Sequence, residues 1–185
     1  MRNSISLITL SLLLTACQQP LSSSADIAAT TDTTNTSTEI NSLASPKYQE
    51  FIDSGAQLPI ASIKTIDGQL VDLASSKKQK LVILFATWCS DSNRLLKALN
   101  QEAILQNNNI EIIAIAREED KATVMAWRDE HHIKVPLATD VDRSIFKQFA
   151  AAGIPRLVTV SESNKVIKMN LAEGQEQLSL IDWQG

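Results

Sequence analysis

Cys89 is the residue best placed to do chemistry in this chain, and its surroundings, Leu84-Phe85-Ala86-Thr87-Trp88-Cys89-Ser90-Asp91-Ser92-Asn93-Arg94, suggest how. An unbroken apolar run from Leu81 to Phe85 ends just before Trp88-Cys89, and a polar, helix-compatible stretch follows at once. A thiol at the first turn of a helix meets unpaired backbone N–H groups and the positive end of the macrodipole, which favour its thiolate. The thiolate is the form that attacks disulfides. Three residues on, where a dithiol site would carry its second cysteine, stands Ser92. Its hydroxyl, one turn along, can donate to the thiolate but is too weak a nucleophile at neutral pH to displace a sulfur. Asp91 suits a helix's first turn yet opposes a neighbouring thiolate, and Arg94 offsets part of that.

The chain has 185 residues and two cysteines. Met1-Arg2 is a short basic start, and Ile5 to Leu14 is apolar apart from small hydroxyl residues. That run is shorter than the ~20 residues that span a bilayer, so it reads as a signal-peptide core. Leu14-Thr15-Ala16-Cys17 resembles the lipobox of bacterial lipoproteins. The resemblance implies cleavage before Cys17, acylation of its sulfur and new amino group, and a lipid anchor with the protein facing the periplasm. Gln18 follows, with no aspartate there, which leans towards the outer membrane over the inner.

The expected domains are therefore a signal peptide over 1–16, a lipidated Cys17 with a Ser/Thr-rich tether over 17–45, and one globular domain over 46–185. With Cys17 consumed, Cys89 is the sole thiol in an oxidising compartment, so no internal disulfide can form and its chemistry needs a partner. Net charge of −4 and a pI near 5.2, without a basic cluster, give nucleic-acid binding no support. His131 and His132, the only histidines, point about 100° apart on a helix and read as a solvated helix end, so no metal is expected. Nothing in the sequence implies a cofactor or fixes an oligomeric state.

The remaining pattern supplies elements to hold the thiol. Lys47–Ser54 has a helical look, Pro59–Ile66 and Gln69–Leu73 flank an Asp67-Gly68 hairpin turn, and Leu81–Phe85 and Ile110–Ala116 read as strands covered on both faces. Helical spacing predicts helices over Ser90–Gln106, Asp120–His132, Asp142–Ala151 and Gln175–Trp183. Val135–Ala138 is a short strand, and Leu157–Val160 with Lys165–Met169 an antiparallel pair. Strands alternating with helices imply βαβ units and a mixed, mostly parallel sheet.

Phe85-Ala86-Thr87-Trp88-Cys89 after a buried strand, with Gly153-Ile154-Pro155 before a later one, resembles the thioredoxin fold. The N-terminal hairpin and the Phe-Ala-Thr-Trp-Cys stretch are most similar to the TlpA/ResA-type, or redoxin, branch: exported thiol-disulfide oxidoreductases often tethered to membranes. The resemblance covers about Leu58 to Trp183. It implies an α/β thioredoxin-like domain with an N-terminal β-hairpin extension and a catalytic Cys89 with Ser92 one turn on. It further implies a substrate groove at Trp88, Ile154 and Pro155, with Pro155 in a cis peptide, and protein or small-molecule thiols and disulfides as partners.

Three departures qualify it, and Asp91 between Cys89 and Ser92 is one. Ser92 removes internal resolution of a mixed disulfide, and the buried acids that handle protons in such enzymes are replaced by Ile83 and Leu95. Three readings stand: a monothiol centre working through mixed disulfides, a non-catalytic binding module on the same fold, and a one-cysteine peroxidase. The last lacks its threonine, since Ala86 stands three before Cys89. Trp88 reads as functional surface and Trp127 as core. Arg156 reads either as a surface charge or as meeting Cys89 or a substrate carboxylate, and Glu118-Glu119-Asp120 as a helix-start cap.

Overall fold

A computed structural model describes residues 48–184. The expected signal peptide, Cys17 and tether lie outside the described residues. A hairpin, β1 (Ser62–Lys64) and β2 (Leu70–Asp72), precedes β3 (Gln79–Phe85), α1 (Ser90–Leu99), β4 (Ile110–Arg117), α2 (Lys121–His131), β5 (Leu137–Asp140), β6 (Arg156–Val160) and β7 (Val166–Leu171). The last five strands form one sheet in the order β5-β4-β3-β6-β7. β3 pairs with β4, and β4 with β5, in parallel; β6 runs antiparallel to both its neighbours, β3 and β7. Only β6 is therefore reversed, which is the mixed, mostly parallel arrangement expected.

The period of two along each strand sorts the core into two layers. From β3, Val82 and Leu84 join one cluster while Leu81, Ile83 and Phe85 join the other. β4 divides likewise, Ile113 and Ile115 against Ile112, Ala114 and Ala116. The second layer receives Leu95, Leu96 and Leu99 of α1 and Val124 and Trp127 of α2. The first is closed by Ile60, Ile63 and Leu73 around the hairpin and by Phe146 and Phe149. Each fully buried Leu, Ile or Phe contributes about 1.5–3 kcal/mol, so β3, buried from Lys80 to Phe85, anchors both layers.

Four expected helices are shortened or lost. That over Ser90–Gln106 ends at Leu99, with Ala103–Gln106 a separate 3-10 turn. Residues 49–51 run extended against 149–151: Phe51 N–H donates to Phe149 O at 2.8 Å and Ala151 N–H to Gln49 O at 2.8 Å. Backbone pairing wins there, where Tyr48 and Phe51 are exposed and Ile52 alone is buried, too little for an amphipathic helix. In place of a helix over Asp142–Ala151 there is a 3-10 turn, Phe146–Gln148. The buried Asp140 carboxylate takes the N–H groups of Ile145 (3.0 Å) and Phe146 (2.7 Å), and Arg143 is left-handed at φ 63°. That fold-back sets where helical turning can begin. Gln177–Leu180 is likewise a single 3-10 turn after left-handed Glu176.

Candidate active site

β3 delivers its C-terminal end to the start of α1, and Cys89 is the residue between them. Its backbone is extended (φ −87°, ψ 121°), its carbonyl accepts the Asn93 N–H at 3.0 Å, and no side chain caps the helix. The thiol is free and half-buried. Its Sγ lies 3.7 Å from the carbonyl oxygen of Ile154, and the Ile154-Pro155 peptide is cis. Residues far apart in sequence thus meet at one sulfur. Trp88 stands 65 % exposed beside it.

Ser92 is fully buried, and its Oγ accepts the N–H of Ala86 at 3.4 Å, which ties the first turn of α1 to the end of β3. Asp91 is engaged with Arg94 and the C-terminal segment: it pairs with the guanidinium and takes the Gly174 N–H at 3.3 Å, while Arg94 Nη1 donates to Gly174 O at 2.7 Å. The offset expected from Arg94 is therefore a direct ion pair, drawn towards the C-terminal segment.

The turn carrying Cys89 is held from two sides by residues that the motif does not include. Glu119, 8 % exposed, accepts the Thr87 N–H at 2.7 Å and the Thr87 hydroxyl through its other oxygen. Asn93 Nδ2 donates to Thr87 O (2.6 Å) and to Cys89 O (2.8 Å), and Asn93 Oδ1 accepts the indole N–H of Trp127 at 2.8 Å. Trp127, packed 5.5 Å from the Phe85 ring, is core as expected and a support for the turn as well. The acidic run does not act as one cap. Asp120 alone caps α2, accepting the Thr123 N–H at 2.8 Å, which holds its carboxyl below the usual range. The signal for Glu119 was topological: in a parallel β3-β4 pair, the loop leaving β4 sits beside the loop leaving β3.

Arg156 is neither surface nor aimed at the thiol. It is fully buried, with Nε donating to Gly153 O (3.1 Å), Nη2 to Ala152 O (2.7 Å) and Nη1 to Glu50. It fastens the loop before Ile154-Pro155 to the extended segment at Glu50. Gly153 has φ +86°, and a Cβ there would come within 3.1 Å of Leu171 and Tyr48 side chains. His131 packs edge-on against Trp127 and His132 is the left-handed end of α2. Among the described residues no cluster of His, Cys, Asp or Glu could hold a metal ion, and no helix is long and apolar enough to cross a membrane.

The family model described as Redoxin matches residues 53–182. The thiol-disulfide oxidoreductase ResA of Bacillus thuringiensis (strain Al Hakam) is 22 % identical over 133 residues, covering 70 % of this chain and 77 % of that one. The thioredoxin-like protein YneN of Bacillus subtilis (strain 168) is 26 % identical over 98 residues, covering 51 % of this chain and 58 % of that one. A solved structure of a secreted Mycobacterium tuberculosis disulfide oxidoreductase superposes with a TM-score of 0.55 at 18 % identity, covering 64 % of this chain and 90 % of that one. That last likeness is one of fold. With the strand-turn-helix thiol, the cis proline opposite it and a family match across most of the domain, the chain belongs to the Redoxin family, as a TlpA/ResA-type member on the thioredoxin fold.

Proposed function

We propose that the protein is a monothiol member of the thiol-disulfide oxidoreductase type, acting through mixed disulfides at Cys89. The observation that carries this is one half-buried thiol at the tip of α1, 3.7 Å from Ile154 O, with no second cysteine among the described residues. The Cys89 thiolate attacks a partner disulfide; one partner sulfur bonds to Cys89 and the other leaves as thiolate. An outside thiolate then attacks the adduct and returns Cys89 to the thiolate form. Ser92 acts by position: its buried Oγ accepts the Ala86 N–H and fixes the first turn of α1, and no hydrogen bond joins its hydroxyl to the Cys89 sulfur. Trp88, Ile154 and Pro155 form the groove that receives the partner chain, a protein or small-molecule thiol or disulfide.

The Leu14-to-Cys17 stretch supports a lipid anchor at Cys17, with the domain on a tether facing the periplasm, at the outer membrane in preference to the inner. A second reading, a binding module using the same groove without turnover, is favoured by fully buried Ile83 and Leu95 where proton-handling acids would be. Trapping separates the two. The native protein is isolated with thiols blocked at lysis, and whatever is disulfide-linked to it is identified by mass spectrometry. Adducts on Cys89 that vanish in Cys89→Ser support the first reading; Cys89 recovered wholly as blocked thiol, with partners bound non-covalently, supports the second.

A further inference from the structure

The end of the sheet that carries Cys89 also carries two guanidinium groups that the chemistry above leaves unused. Arg117 ends β4 and Arg143 follows β5. Their guanidinium carbons lie 4.9 and 5.1 Å from the centre of the Phe146 ring. Arg117 is also 5.8 Å from the ring of Trp88, the neighbour of Cys89. Rings in these positions hold a guanidinium by cation–π attraction and leave its outer N–H edge for a planar anion; Arg143 spends one Nη on Ala151 O, so the edge on offer is that of Arg117.

The two arginines share one carboxylate. Glu118 Oε2 is 3.1 Å from Arg117 Nη2 and 4.0 Å from Arg143 Nε, and the Glu118 side chain is 45 % exposed. The other acids nearby are turned elsewhere: Asp140 holds the N–H groups of Ile145 and Phe146, and Glu119 holds Thr87. The Nε atoms of Arg117 and Arg143 are buried with no hydrogen-bond partner. Burial and the charge of Arg143 hold Arg117 below its ordinary value, and Glu118 and Cys89 act against that.

We propose that Arg117, backed by Arg143 across Phe146, is a specificity-determining residue that favours anionic thiols and disulfides at Cys89, carboxylate-bearing small thiols foremost. The inference rests on the mixed-disulfide reading and names the class of outside thiol that completes it. In that step the carboxylate-bearing thiol loses its proton to solvent and its thiolate attacks the partner's sulfur in the Cys89 adduct. A new S–S bond joins those two sulfurs, the old one breaks, and its electron pair leaves on Cys89. The incoming thiol is oxidised to a disulfide and Cys89 is reduced to its thiolate, so electrons balance.

Iodoacetate and iodoacetamide test this, because both alkylate the same sulfur with loss of iodide and differ in charge. Mass spectrometry follows the Cys89 peptide of the full chain and gives the rate ratio of the anionic to the neutral reagent. The ratio should fall about fivefold in Arg117→Met, the factor for one charge pair about 4 Å apart in water. It should be kept in Arg117→Lys, rise in Glu118→Gln, and lose its wild-type advantage in high salt. Glu118→Gln changes an exposed side chain, so the test does not depend on the Arg117 variants folding. A ratio unchanged in both Arg117→Met and Glu118→Gln overturns the inference while leaving Cys89 reactive. Failure of both reagents to alkylate Cys89 in the folded protein overturns the mixed-disulfide reading and this inference with it.

Discussion

Glu119→Ala should show how far the reactive turn depends on a residue outside its motif. The carboxylate is 8 % exposed and takes both the N–H and the hydroxyl of Thr87, two residues before Cys89. Hydrogen bonds to charged groups are worth about 1.5–3 kcal/mol each, and an orphaned buried donor adds its own penalty. Thr87 can recover water on its hydroxyl, since it is half-buried, so the expected loss is about 3 kcal/mol rather than the full sum. That is a large share of a total near 5–15 kcal/mol. Glu119→Gln keeps an acceptor for the Thr87 N–H and a donor for its hydroxyl oxygen, losing only the charge, and should cost about 1 kcal/mol. Urea unfolding gives both numbers, and hydrogen exchange at the Thr87 amide reports whether the loss is local. An alanine variant within about 0.5 kcal/mol of wild type, or a glutamine variant as costly as alanine, would refute the reasoning.

Gly153→Ala forces a Cβ into the left-handed region against Leu171 and Tyr48, and should cost more than about 1 kcal/mol while slowing alkylation of Cys89. An unchanged melting temperature would count against the tight loop. Ser92→Cys should convert the site to a dithiol and switch on insulin-disulfide reduction, with little turnover expected of the wild type; strong wild-type turnover would contradict the role given to Ser92. Asp72, Asp120 and Asp142 are held below the ordinary carboxylate range by hydrogen bonds from Ser75, Thr123 and Ser144 respectively. Groups depressed in the folded state stabilise it above the unfolded carboxylate value, near pH 4, and lose that contribution as pH falls through their folded values. Replacing all three with Asn should therefore flatten the acid limb of stability below about pH 4, and an unaltered limb in thermal melts would show that they do not set it.

Much of the fold was legible because β3 and β4 are unbroken apolar runs and α1 and α2 have clear amphipathic spacing. Buried strands and two-faced helices advertise themselves. The Cys89, Trp88, Ile154 and Pro155 cluster was legible through a motif and a later Gly-Ile-Pro. The features that stayed hidden depended on tertiary partners. The segment at Glu50 reads as helical locally, yet its hydrogen bonds go to residues 149–151. Asp142–Ala151 keeps helical spacing, yet the Asp140 carboxylate claims the N–H groups of Ile145 and Phe146. Arg156 was read as a surface charge or as meeting the thiol or a substrate carboxylate, because a single charged residue carries no mark of the carbonyls that bury it. Glu119 looked like one of three capping acids; only the parallel pairing of β3 and β4 brings it to Thr87.

The central claim is that Cys89 forms a covalent adduct with a partner sulfur that the protein cannot release by itself. The measurement is mass spectrometry of the folded chain treated with one equivalent of an aromatic disulfide, then desalted and sampled before and after adding an outside thiol. The expected result is a stable mixed disulfide on the Cys89 peptide that persists until the thiol is added and then disappears. Spontaneous loss of the adduct without added thiol, or no adduct on Cys89 at all, would contradict the account.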